Sequence, residues 1–407
     1  MLIRISLFPK GKNFAVSFVD DTDFSTKANT KPVYDLLYEK RLRATKTVWV
    51  FRNQRSSSFR PEIEKTAPSI ISGGSTLQDP EYLDFVENLK SKGFEIALHG
   101  VSAGNNLRDE TIRGIDAFRN IFGEYPKINV FHQTNIENLY AGSAKLDIFI
   151  LKLLERIVHN SDYQGHKCAS PYFWGDYARE TIKYMRLPFH SVKNVNTLRV
   201  NPDMPFHDRK RPYVNYWFLG SDGSNCMTFC KLLRKENVDK LQKERGICVV
   251  YTHFAKGFTH RAEGTYSLDP NFSAVVNDLA ERQDGWYPTT SELLDRILSL
   301  KMLALIKKDH TFYLHNTGNT DIYSLQLMGE RSFMAKDENL NVYNSSADGI
   351  LKIPRIMANS SLLLATPKRT ALKVRGAGRI EISQLSRMKI ELSNYIGLIR
   401  ERLPIDY

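Results

Sequence analysis

The sequence predicts an α/β fold: parallel strands alternating with helices up to about residue 300, then antiparallel β structure and a terminal helix. Three observations predict it. Short apolar runs rich in Val, Ile and Phe alternate with segments of helical spacing. After about residue 302 the runs shorten and are separated by Asn, Gly, Ser and Asp turns. Successive predicted strands end in a carboxylate or an imidazole, where parallel α/β folds gather their chemistry.

Taken in order, "NFAVSFV" reads as a strand that runs into Asp20, Asp21 and Asp23. "KPVYDLLYEKRL" follows as a helix, with Val33, Leu36, Leu37 and Leu42 near helical spacing. "KTVWVF" is a strand. "DPEYLDFVENLKSKG" is a punctuated helix: Asp79 caps it, Pro80 fits the first turn and Gly93 ends it. "FEIALHG" is a strand ending in His99, and "RDETIRGIDAFRNIFG" a helix closed by Gly123. "INVFH" is a strand ending in His132, and "AKLDIFILKLLERIVHN" a strongly apolar helix. "GICVVYTHF" is a late strand ending in His253. "TTSELLDRILSLKM" is a helix whose Thr289 and Glu292 have capping-box spacing. Repeated strand–helix units give parallel strands with helices outside, in a barrel or an open sheet.

Beyond residue 302, "HTFYLHNTGNTDIYSLQLMG", "NLNVYNSSADGILKIP" and "SSLLLATP" read as antiparallel β structure. The expected division is residues 1–301 and a smaller β-rich part at 302–407. The tail carries Ile382, Leu385, Met388, Leu392, Tyr395, Ile396, Ile399 and Leu403 at helical spacing, with Arg and Lys between them. It is expected to dock as an amphipathic helix, or to lie on an anionic membrane surface.

The 407 residues are 42% hydrophobic and 11% aromatic, enough for a sizeable core. No window of 18 apolar residues is present, so a spanning helix is not expected. The apolar run in "MLIRISLFPKGKNF" is too short for a secretory signal, and a cytoplasmic location is expected. Cys168, Cys226, Cys230 and Cys248 form no C-x-x-C pair, and Cys226-x-x-x-Cys230 has no second half. Reduced thiols are expected rather than a zinc knuckle or a disulfide framework. The net charge of +12 favours acidic partners such as nucleic acid, anionic headgroups or acidic glycans. No nucleic-acid motif is present and the basic residues are spread, so nucleic acid is not expected.

Three acids at one strand end repel one another, and burial raises the pKa of at least one. A cation between them, or a retained proton, relieves that repulsion. A solvated turn is the other reading. Convergence of Asp20, Asp21, His99, His132 and His253 at separate strand ends favours a site.

Those residues carry a family resemblance. "FVDDTD" resembles the strand-end F-D-D-G signature of polysaccharide deacetylases, carbohydrate esterases with a distorted (β/α) barrel. "GFEIALHG" is similar to the stretch leading into the first histidine of their H-x-x-x-H signature. "RDETIRGIDAFRNIFGEYP" resembles the helix after it, and "VVYTHF" the final Leu-x-His signature. The resemblance covers residues 12 to about 300 and implies a distorted barrel. It implies Asp20 as catalytic base, Asp21 and His99 as ligands of a divalent metal, and His253 as acid. Zinc is the first choice of metal, with cobalt, manganese or nickel as substitutes.

The sequence departs from that pattern in three places. Ala103 stands where the second metal histidine is expected, and Asn105, Asn106 and His132 are the candidates to replace it. Thr22 replaces the glycine of the first signature. "VFHQTN" replaces the Arg-Pro-Pro stretch, with His132 taking part of its role. His166, Tyr172, Trp174 and Asp176 form an aromatic–acid cluster suited to sugar stacking, or to packing alone. Asp23 joins them as a candidate for substrate binding.

The expected function is a metal-dependent hydrolase that removes an acetyl group from a glycan or a lipid- or nucleotide-linked sugar. The alternative is an inactive deacetylase-like protein that binds glycan or assists polysaccharide assembly. A glycoside hydrolase is disfavoured, because adjacent acids rarely flank a scissile bond at about 5 Å or more.

Overall fold

The computed structural model describes residues 2–53, 74–159, 162–188, 192–308, 311–365, 373–375 and 380–392. Eight parallel strands form a curled sheet. Their order is Tyr216–Phe218, Tyr184–Arg186, Ile128–Asn129, Glu95–Leu98, Ala44–Val48, Phe14–Asp20, Ile247–Thr252 and Ser221–Asp222. A ninth, Gly285–Trp286, pairs in parallel with the start of Phe14–Asp20. The two edges of this sheet, Phe218 and Ser221, are joined by only Leu219 and Gly220. Three residues span at most about 11 Å, so the edges face each other across a narrow seam. This is a distorted (β/α) barrel, with antiparallel β structure C-terminal to it.

The central strands are buried on both faces. Every residue of Phe14–Asp20 and of Ala44–Val48 is buried, which is why the first reads as an apolar run interrupted only by Ser17 before Asp20. Helices cover the outside. Val33, Tyr34 and Leu37 come from Lys27–Glu39, and Tyr82, Phe85, Val86 and Leu89 from Pro80–Ser91. Ile115 and Phe118 come from Arg108–Phe122, and Leu293, Leu294 and Ile297 from Thr290–Lys301. The first of these helices begins at Lys27, four residues before the predicted start, because Thr26 and Asn29 form a capping box. The expected strand through Phe51 stops at Val48. There the chain turns so that the N–H groups of Val50 and Phe51 both donate to the Val101 carbonyl, at 3.0 and 2.9 Å.

The division at residue 302 needs one correction. The strand Leu2–Ile5 does not belong to the barrel. It pairs antiparallel with Ile322–Gly329 and parallel with Lys373–Arg375. A second antiparallel sheet runs in the order Leu303–Lys308, Thr311–Asn316, Ser361–Ala365, Met334–Lys336, Val342–Asn344. Arg296 of the last barrel helix binds this region, donating to the carbonyls of Tyr323 and Ser324 at 2.6 and 3.1 Å.

The tail helix docks by its polar side. Over residues 384–392 the buried groups are Arg387, Ile390 and Glu391, while Leu385, Met388 and Leu392 are exposed. The Glu391 carboxylate accepts from the N–H groups of Asp147 and Ile148 at 2.8 and 3.0 Å, just before the helix Phe149–His159. Arg387 donates to the Lys145 carbonyl. Leu385, Met388 and Leu392 therefore mark the outward face, while Ile382, ahead of the helix, packs against the core. Tyr395, Ile396, Ile399 and Leu403 lie outside the described residues. Phe149–His159 likewise turns apolar groups outward, with Phe149 78% and Ile157 70% exposed. No helix among the described residues is long and apolar enough to cross a membrane.

Glu391→Ala leaves two helix-start N–H groups without their acceptor. A loss of about 1–3 kcal/mol in unfolding free energy is expected, read as a lower urea midpoint.

Candidate active site

The first strand ends by burying a carboxylate completely. Asp20 Oδ2 accepts from Lys46 Nζ at 2.7 Å and Tyr34 OH at 2.8 Å, and Oδ1 from the Phe254 N–H at 2.7 Å. Lys46 stands on the neighbouring strand and is also fully buried. Burial alone pulls the Lys46 ammonium down, but the Asp20 charge more than offsets it and holds Lys46 above its usual value. Asp20 thus braces the floor of the site.

Asp21 points the other way. Both its oxygens are gripped by Arg186, at 2.9 and 2.6 Å. The guanidinium lies over the Tyr251 ring at 4.3 Å. Burial raises the Asp21 pKa, but Arg186 and His99 outweigh it and keep the carboxyl below its usual range. Asp21 stays ionised and oriented.

Two residues on, Asp23 is the hub. Its Oδ2 lies 3.1 Å from His99 Nε2 and 3.2 Å from His253 Nε2, and its Oδ1 lies 3.3 Å from His132 Nε2. Three strand ends thus aim imidazoles at one carboxylate. Asp21, Asp23 and His253 also place one ligand atom each within 4.8 Å of one another. Burial opposes ionisation of Asp23, yet His99 and the hydrogen bonds from the three rings hold its pKa well below the ordinary value. His99 is lowered by burial, against the pull of Asp21 and Asp23. His132 is also desolvated, but Asp23 reverses the shift and raises it.

The far nitrogens decide what the near ones can do. His132 Nδ1 lies 2.9 Å from Asn135 Oδ1, and His253 Nδ1 lies 2.8 Å from the Ser224 carbonyl. Both partners only accept, so each Nδ1 carries a proton and donates it. Each Nε2 is thereby aimed at Asp23, as a donor N–H where the ring is protonated and as a lone pair where it is not. Lone pair against carboxylate is repulsive unless a proton or a cation lies between them. Ligand atoms on a tetrahedral zinc ion stand about 3.3 Å apart, which matches these separations.

A buried polar chain supports His132. Asn135 Nδ2 donates to Glu137 Oε1 at 3.0 Å, and Asn106 Nδ2 donates to the same oxygen at 2.7 Å. Trp174 Nε1 donates to the Glu137 carbonyl at 2.7 Å. Burial pushes the Glu137 carboxyl up to about 7, despite these donors. Trp49 Nε1 donates to the His99 carbonyl at 3.0 Å and its ring flanks both His99 and His132.

The other candidates stand apart from the cluster. Asn105 Oδ1 accepts from the Ile136 N–H at 2.9 Å, bracing the loop below His132. Asn106 belongs to the Glu137 chain. Ala103 is buried, and the second imidazole beside His99 at Asp23 is that of His132, one strand over. His166 packs on Tyr140 with centroids 4.6 Å apart, and burial lowers its pKa to about 4. Tyr172 is half-buried, with its N–H on Ser170 Oγ. Trp174 is buried under Glu137. Asp176 is an exposed, bidentate partner of Arg108 at 2.7 and 2.8 Å. The aromatic–acid cluster therefore packs the outer wall. Sequence reasoning missed Arg186, Lys46 and Glu137. Arg186 had a signal: "YMRLP" is another strand end, with an Arg-x-Pro sequence of its own.

No protein-family model matches the chain, and no curated protein is similar to it in sequence. Solved structures do match. One is described as a polysaccharide deacetylase from Mycobacterium smegmatis, at 13% identity over 74% of this chain and 96% of that one, with a TM-score of 0.41. Peptidoglycan deacetylase PdaC from Bacillus subtilis matches at 11% identity over 70% and 93%, TM-score 0.32. A family 4 acetyl xylan esterase from Clostridium thermocellum, solved with cobalt, matches at 10% identity over 70% and 91%, TM-score 0.32. Likeness at that level leaves function to be argued from this chain's own residues.

Glu137 binds a proton more tightly in the folded chain than in the unfolded one. Its effect on stability is absent below about pH 4, and grows unfavourable as pH rises toward 7. The rise from 4.5 to about 7 corresponds to about 3 kcal/mol lost by pH 8. Glu137→Gln is expected to flatten the unfolding free energy between pH 5 and pH 8. The check is urea denaturation at several pH values.

Proposed function

We propose that the chain is a metal-dependent hydrolase that removes an acetyl group from a glycan or glycan precursor. One observation carries this reading: three imidazoles from separate strand ends bring Nε2 within 3.3 Å of one ionised carboxylate, Asp23. Such a set calls for a cation. Asp23, with His99 Nε2 at 3.1 Å from one oxygen and His132 Nε2 at 3.3 Å from the other, would supply two imidazoles and one carboxylate to a catalytic zinc-class ion with open positions. When bound, that ion supplies an acidified water and a Lewis acid for the carbonyl oxygen.

The remaining residues divide the proton work. Asp21 is assigned the base in place of Asp20, whose oxygens are already taken by Lys46, Tyr34 and Phe254. Arg186 holds Asp21 ionised and fixes its direction, so it accepts the proton of the attacking water. His253 is the acid. The Ser224 carbonyl fixes its ring, and Nε2 gives a proton to the departing amine or alcohol. Atoms balance: water and an acetylated sugar yield acetate and the free amine or hydroxyl. The glycan class follows from the motif resemblance, and the net charge of +12 suits lipid- or nucleotide-linked sugars that carry phosphate.

The purified chain is expected to release acetate from acetylated amino-sugar donors with added Zn²⁺, Co²⁺ or Mn²⁺. Asp21→Asn lowers kcat at least about 100-fold. Asp23→Ala removes the barrel metal, as read by elemental analysis. A metal-loaded wild type that releases no acetate, yet binds glycan with chelator present, leaves the inactive binding protein as the reading.

A further inference from the structure

A second group of metal-binding side chains lies away from the barrel cluster. Cys226 and Cys230 stand four apart on the helix Cys226–Leu232, so both thiols leave the same face. Their sulfurs are 4.0 Å apart. The Asp269 carboxylate closes a triangle, with one ligand atom from each residue within 4.8 Å of the other two. Cys226 is buried, while Cys230 and Asp269 are half-buried.

Asp269 is fixed from two sides. Its Oδ1 caps the helix Pro270–Glu281, accepting from the N–H groups of Asn271 and Phe272 at 2.9 and 3.0 Å. Its Oδ2 lies 3.0 Å from Nε2 of His260, on the strand Thr259–Ala262. Two thiolates and a carboxylate at such separations repel, and a cation turns that repulsion into coordination. Sulfurs on a tetrahedral zinc ion stand about 3.8 Å apart, close to the spacing seen here. Sulfur and carboxylate donors together suit zinc better than magnesium or calcium.

We propose that Cys226, Cys230 and Asp269 form a three-ligand zinc site, independent of the barrel site, with its fourth position left to water. Both thiols lose their protons on binding, and His260 orients the Asp269 carboxylate from the exposed side. The ion staples three elements: the helix Cys226–Leu232, the hairpin Thr259–Leu268 and the helix Pro270–Glu281. The site also reaches the chemistry. Cys226 follows Ser224 by two residues, and the Ser224 carbonyl orients His253.

The test is cobalt titration of the full chain after chelator treatment, followed in the near ultraviolet. Wild type is expected to develop thiolate-to-cobalt absorption that zinc abolishes, with two metal equivalents bound per chain. Cys226→Ser and Cys230→Ser each lose the absorption and one equivalent. His99→Ala loses the other equivalent and keeps the absorption. His260→Ala weakens zinc binding by about 10- to 100-fold. Wild-type protein also answers without any variant: zinc is expected to protect Cys226 and Cys230 from iodoacetamide. Absent absorption together with alkylation indifferent to zinc overturns the proposal, as does a Cys226–Cys230 disulfide that forms in the presence of zinc.

Discussion

One buried ion pair sets the geometry on which the site depends. Asp20 and Lys46 meet at 2.7 Å with both side chains out of water. Isolated, either charge would be strongly unfavourable there; together, with Tyr34 and the Phe254 N–H, they form a closed set. The set ties the first strand to the second, and to the residue after His253. Asp21 and Asp23 leave this anchored point within three residues. The distances from Asp23 to three imidazoles therefore follow from a junction that never meets substrate.

The same logic runs outward. Asn135 fixes the His132 tautomer, Glu137 receives Asn135, and Trp174 holds the Glu137 backbone. Each link is a buried polar group hydrogen-bonded to its neighbours in the chain. A residue expected to stack on sugar thus serves the site from beneath, through two hydrogen-bonded neighbours.

The strand–helix alternation, the late antiparallel region and the meeting of His99, His132 and His253 were legible in the sequence. Strands buried on both faces leave continuous apolar runs, and their ends stand out as abrupt polarity. The division of labour among Asp20, Asp21 and Asp23 was not legible. Successive side chains at a strand end leave in different directions, and what each meets is set by residues far along the chain. Lys46 is 26 positions from Asp20, and Arg186 is 165 from Asp21. The tail was misread for a related reason. Apolar spacing suggests which face is buried, but Glu391 docks by capping a helix whose start lies 243 positions earlier. The Cys226–Cys230 pair lacked a sequence partner because the acid beside it, Asp269, is a helix cap about 40 positions on.

The barrel seam has an assembly consequence. Strands from Phe14–Asp20 to Tyr216–Phe218 add one beside the next in chain order, all on one side. The chain then crosses the seam at Leu219–Gly220, and Ile247–Thr252 enters last of the eight, between Phe14–Asp20 and Ser221–Asp222. It behaves as a keystone, and it carries His253 and Phe254 on its end. A nascent chain holds two of the three imidazoles from early on, but cannot become competent until the ring is shut.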